Sequence, residues 1–166
     1  MKERLLIINH ALLFLCASMY LGTGGSLVLF SFPIAPELTT QNYYLQFVPQ
    51  VTAATAFFTP MTKLMLLTAA IMLLAEWRMV TRWVPIAVLA CVLTSTTLTL
   101  YWIFPLNQAM ANHIQDPGQL KTVLTAWMNF NWVRAGLWLI QWCCLMGYFA
   151  YWALRGRYGR SFFSTP

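Results

Sequence analysis

Four apolar runs decide what this chain can become. Residues 5–32, 52–75, 83–104 and 134–154 contain no carboxylate, and their only basic side chains are His10, Lys63 and Arg134. Each run reaches the roughly 20 residues that a helix needs to cross the hydrocarbon core of a bilayer. Of the 166 residues, 60% are hydrophobic and 8% are charged, where a soluble domain is about a quarter charged. The pattern predicts an all-α fold: a four-helix antiparallel transmembrane bundle with a short outer helical cap. The whole chain, 1–166, reads as a single integral membrane domain, with 33–51 and 105–133 as its outer segments. Lipid is the partner that such a surface requires.

The punctuation between the runs is specific. Pro33 and Pro36 are expected to end the first helix, because proline lacks the N–H that the next turn needs. An outer loop follows over 37–50, with a short interfacial helix through Tyr43, Tyr44 and Phe47 at headgroup level. Pro60 is expected to kink or restart the second span, with Thr59 as its cap. Glu76, Arg78 and Arg82 form a polar turn, with Glu76 at the interface beside an arginine. Pro105 is expected to stop the third span, and a short outer helix should occupy 107–115. Asp116-Pro117-Gly118 is a turn signal. The last helix, 119–154, would be roughly 50 Å long, so its first turns must project beyond the membrane and cap the bundle.

Cations set the orientation. With four spans both termini share a side, and Lys2, Arg4, Arg78, Arg82, Arg155, Arg157 and Arg160 all fall there. Cytoplasmic loops concentrate Lys and Arg, so both termini are expected to be cytoplasmic, in a bacterial inner membrane. The formal charge of +6 follows from that topology. No basic cluster interleaved with polar residues suggests nucleic acid. Four cysteines, Cys16, Cys91, Cys143 and Cys144, lie within apolar segments. They are expected to be free, buried thiols, since no C-x-x-C is present.

Several residues could carry chemistry. In the first span Ser18, Gly22, Gly25 and Ser26 make a small-residue seam. It suits close helix packing inside the bundle or a homo-oligomer through the Gly22/Gly25 face. Arg134 and Lys63 are cations in the outer half with no carboxylate at their own depth. An ionisable group inside a span marks a functional site by default, with snorkelling to headgroups as the plain rival. Arg134, Trp138 and Trp142 follow one another at i, i+4, with Asn131 a turn before. A guanidinium with an amide beside it and indole walls would suit a flat anionic or enolisable ligand. His10 and His113 fall at opposite ends of the bundle and cannot share a haem iron, and no cluster has metal-ligand spacing. No cofactor or metal is therefore expected. His113 could serve as a base in the outer cap.

The four-span layout, Phe104-Pro105-Leu106-Asn107 at the end of the third span and Trp127-x3-Asn131-x2-Arg134 at the start of the fourth resemble the anthrone oxygenase-like family of small membrane proteins. Many of its bacterial members are known as a domain of unknown function. The resemblance covers most of the chain, although the family often has histidine where Asn131 stands. It implies a cofactor-independent oxygenase acting on a hydrophobic aromatic, anthrone- or quinone-like molecule from the outer leaflet. Arg134, Asn131 and His113 would be the catalytic candidates, Arg134 stabilising an enolate oxygen. Trp127, Trp138, Trp142, Asn107, Lys63 and Tyr101 would be the substrate-binding candidates. The alternative is a non-enzymatic membrane protein that binds lipid or a partner subunit. A transporter fits less well, since the spans hold no carboxylate for proton coupling.

Overall fold

Helices form where the apolar runs predict them, and they run on past the prolines expected to stop them. The computed structural model describes residues 2–161, with side chains described for 3–155. The side chains of Lys2, Arg157 and Arg160, which enter the charge argument, lie outside that range. The elements are α1 (Lys2–Ser26), α2 (Phe32–Ile34), α3 (Tyr43–Glu76), α4 (Trp83–Leu98), α5 (Phe104–Ala111) and α6 (Pro117–Ser161), with no strand among the described residues. Joined end to end they give four paths long and apolar enough to cross a membrane: Glu3–Glu37, Tyr43–Glu76, Val80–Ala111 and Pro117–Arg155.

Two prolines are absorbed by the same device. A π-helical turn, Leu27–Ser31, precedes Phe32-Pro33, and another, Thr99–Ile103, precedes Phe104-Pro105. In each, the phenylalanine N–H reaches back five residues, to Leu27 and to Thr99. The widened turn shifts the carbonyls that the proline ring would otherwise strike, so the helix continues. The first path therefore reaches Glu37 and the third reaches Ala111, beyond the stops expected at Pro33, Pro36 and Pro105. Likewise α3 runs unbroken through Pro49 and Pro60. Thr59 does not cap it; its hydroxyl donates back to the Thr55 carbonyl at 2.7 Å. The outer loop shrinks to residues 38–42, and the expected interfacial helix is the first turn of α3.

The packed pairs are α1 with α3, α3 with α4, α4 with α6, and α6 with α1. This is a closed square of helices in up-down order, the four-helix bundle the sequence predicts. Its core holds Leu13, Ala17, Met65, Met72, Val88, Trp138 and Leu145. A second, separate core forms the outer cap from Phe32, Tyr43, Ile103, Met110, Leu120, Leu124 and Trp127. Tyr43 is not a headgroup anchor. It is buried, donating to the Met110 carbonyl at 3.0 Å and accepting the Ile114 N–H at 2.6 Å. Asp116-Pro117-Gly118 is not a free turn but the start of α6: Asp116 Oδ2 accepts the Gln119 N–H at 2.8 Å, the N-cap arrangement, with proline at the position that needs no donor. From there α6 runs 45 residues, roughly 68 Å, and serves both cores.

Candidate functional site

The inward stripe of α6 is unusually polar for a membrane helix. Trp127, Asn131, Trp138, Gln141, Leu145 and Tyr148 are all buried and, counting Arg134 between Asn131 and Trp138, recur every three or four residues, which places them on one face. Arg134 shares that face. Trp127 belongs to the outer core and Trp138 to the inner one, so Asn131 and Arg134 fall between the two. Thr99 of the third path lies in the same gap, between Val92 of the inner core and Ile103 of the outer. The site is a polar layer sandwiched by two apolar ones.

Arg134 turns into this layer. One guanidinium nitrogen donates to Thr99 Oγ1 at 3.2 Å and the other to Asn131 Oδ1. The guanidinium carbon lies 4.8 Å from the centre of the Trp138 ring, a cation–π distance. Nε is buried with no partner. None of these neighbours is a carboxylate. The hydrogen bonds continue outward. Asn131 Nδ2 donates to the Trp127 carbonyl at 2.8 Å, and Trp127 Nε1 donates to Asn107 Oδ1 at 2.9 Å. The backbone carbonyl of Trp127 accepts and its indole donates, so the contacts fix the positions of Asn131, Trp127 and Asn107 relative to the guanidinium without forming a continuous hydrogen-bonded chain.

Asn107 in turn lines a groove. Between α3 and α5 lies an open cavity of about 440 Å³, walled by Phe47, Val51, Thr55, Thr59, Phe104 and Asn107 among others. Phe47 also packs edge-on against Trp127, 4.6 Å between centres. Ligand pockets run from about 300 to 1,000 Å³, so the groove admits a small flat molecule. Arg134 does not line it. No titratable side chain does either.

No family model, curated protein or solved structure matches this chain.

The remaining predicted site residues are dispersed. Trp142 turns to the first helix, its Nε1 donating to Ser18 Oγ at 3.1 Å and its ring stacked on Phe14. Lys63 is exposed on the outside of the bundle, and so is Tyr101, at 72%. His113 is exposed between α5 and α6, with φ of 56° and its ring stacked 3.7 Å from that of Tyr44. The structure thus joins Asn107, Trp127, Asn131, Arg134 and Trp138, and leaves Lys63, Tyr101, His113 and Trp142 apart. All four cysteines are free. Cys16 and Cys91 are buried as expected, but Cys144 is only half-buried and Cys143 is exposed, facing out of the bundle. Gly22 and Gly25 have open space where a Cβ would stand; the close helix contact is at Gly24.

A second polar cluster joins Glu76, Tyr148 and His10. Glu76 is 5% exposed. It is bonded to Tyr148, whose hydroxyl donates at 2.8 Å, and to Thr81, not to Arg78 or Arg82. His10 Nδ1 lies 3.4 Å from the Tyr148 hydroxyl. With the phenol proton given to Glu76, Nδ1 must carry the hydrogen of that contact. Glu76 ends its run and Tyr148 lies deep in another, so nothing in sequence spacing links them; only the packing of α1, α3 and α6 does.

Proposed function

We propose that this integral membrane protein binds a flat, hydrophobic, carbonyl-bearing small molecule, anthrone- or quinone-like, drawn from the outer leaflet into the groove between α3 and α5. The observation that carries this reading is the 440 Å³, largely apolar groove with the carboxamides of Asn107 and Gln108 in its wall. Asn107 gives its oxygen to Trp127, which leaves its amide hydrogens for a ligand oxygen. Arg134 acts on that amide by position: it holds Asn131, which bonds the Trp127 backbone, and the Trp127 indole in turn holds Asn107.

The resemblance to the anthrone oxygenase-like family supports an oxygenase reading of the same groove: anthrone and dioxygen give anthraquinone and water without a cofactor. Loss of the anthrone proton to hydroxide at the open mouth of the groove would raise electron density on the ring system, and the Asn107 amide would stabilise the enolate oxygen. The absence of a titratable side chain from the groove wall favours a second reading, a non-enzymatic protein that holds a lipid or quinone there. On both readings the protein sits in a bacterial inner membrane with cytoplasmic termini.

The test uses the full chain in lipid nanodiscs. Wild type should bind an anthraquinone, and Ala56→Trp, which fills the groove, should weaken binding at least tenfold. If oxygen-dependent anthrone turnover is also present, it should be lost in Ala56→Trp and reduced in Arg134→Leu. Binding without turnover selects the carrier reading. Equal binding by wild type and Ala56→Trp removes the groove from both.

A further inference from the structure

Beside the polar layer, toward the inner core, is a small space of about 30 Å³. Its polar and aromatic wall is Tyr20, Thr62, Ser95, Thr96, Trp138 and Gln141. Gln141 is 1% exposed, and both its Nε2 and its Oε1 are buried without a partner. A carboxamide has two donors and an acceptor to satisfy, and buried polar groups in folded proteins are almost always satisfied.

The hydroxyls around this space are already committed as donors. Ser95 and Thr96 both give their protons to the Val92 carbonyl, at 3.0 and 2.7 Å. Thr62 donates to the Phe58 carbonyl at 2.9 Å, and Tyr20 lies within bonding distance of that carbonyl and of Thr62 Oγ1. What these groups turn to the cavity is therefore lone pairs. The occupant must donate to oxygen and accept from the Gln141 amide. It must also be small, since one water needs roughly 10–15 Å³ of such space.

Charge decides between the species that fit. A bare cation would suit the lone pairs, but the Arg134 guanidinium lies 4.8 Å from the centre of the Trp138 ring that walls the cavity. A second positive charge so close, away from bulk water, is disfavoured. We infer that this cavity is a binding site for buried water, one or two molecules held between the Gln141 carboxamide and the hydroxyls of Ser95, Thr96 and Thr62. The inference is independent of what occupies the outer groove.

The experiment is solution NMR of the full chain in detergent micelles, labelled with side-chain ¹⁵N-glutamine. The other glutamines, Gln41, Gln46, Gln50, Gln108, Gln115 and Gln119, are exposed, so their amides exchange with bulk solvent. The Gln141 amide should show a slow-exchange cross-peak at the water frequency with the sign of a long-lived contact. Gln141→Leu should remove that peak, which assigns it. Ser95→Val, which fills the space, should abolish the water contact while the Gln141 amide resonance itself survives. Melting gives a second readout. With water in place, Gln141→Leu strands its partners and lowers the midpoint; with a dry cavity it removes two orphaned atoms and raises it. An assigned Gln141 amide without a water contact overturns the site, and so does a contact unchanged in Ser95→Val. If Ser95→Val fails to fold, Ser95→Ala, which only removes one acceptor, should shorten the water's residence; an unchanged residence counts against the site.

Discussion

Gly24 offers the sharpest test of how the bundle is held together. A Cβ built there would lie 2.8 Å from Trp138 Cε3 and 3.3 Å from the Ala135 Cβ. Trp138 cannot easily retreat. Tyr20 packs against it at 5.0 Å between ring centres and the Arg134 guanidinium covers it at 4.8 Å. Alanine at this position must push the first helix from α6 or displace the indole. Overpacking of this kind costs about 1–3 kcal/mol. Against it stands the helix-propensity gain of glycine to alanine, about 1 kcal/mol. The balance is a net loss of up to about 2 kcal/mol for Gly24→Ala. Gly22→Ala and Gly25→Ala meet nothing within 4 Å, so they should be neutral or stabilising by up to about 1 kcal/mol. Reversible unfolding in mixed micelles, followed by tryptophan fluorescence, reads all three variants. A Gly24→Ala protein stabilised by about 1 kcal/mol, the full propensity gain with no packing cost, would refute the close contact. Losses in Gly22→Ala and Gly25→Ala would instead mean that their open face is covered by a second copy, and native mass in detergent would then fall from dimer to monomer.

Three further variants probe the caps and the buried cluster. Tyr43→Phe removes one hydroxyl that serves both the Met110 carbonyl and the Ile114 N–H; it should cost about 1–3 kcal/mol, with faster amide exchange at Ile114 and not in the inner core. Tyr148→Phe takes a donor from the buried Glu76 carboxyl and should destabilise by about 1–3 kcal/mol; a double-mutant cycle with Glu76→Gln that shows no coupling would reject the contact. Asp116→Ala removes the N-cap of α6 and should cost about 1 kcal/mol, read as a lowered melting midpoint, while Asp116→Asn should recover most of it.

The spans were legible from composition and length. A run of more than twenty residues without a carboxylate has few stable settings other than a bilayer. The Trp127, Asn131, Arg134, Trp138 series was also legible, because helical spacing alone puts those side chains on one face. Proline does not end these helices. The rule that it ends a helix holds where water competes for the freed backbone groups. Inside a membrane bundle the helix widens into a π turn at Leu27–Ser31 and Thr99–Ile103 and carries on, since leaving would expose backbone to lipid.

Depth and helix face are what a linear pattern can give; the neighbour across the bundle is not. Arg134 could have reached outward to headgroups or inward to Thr99 and Trp138, and spacing is identical in the two cases. Gly24, rather than Gly22 or Gly25, meets α6 because the crossing point of two helices depends on how every other side chain packs. Glu76, Tyr148 and His10 come from three different helices, and each alone reads as an ordinary interfacial or packing residue. Their meeting, like the orphaned amide of Gln141, exists only once the four helices close into a square. Sequence fixed which segments must leave water, because burial free energy sums along the chain; the fold chose which polar groups face one another, because hydrogen bonds require particular partners in three dimensions.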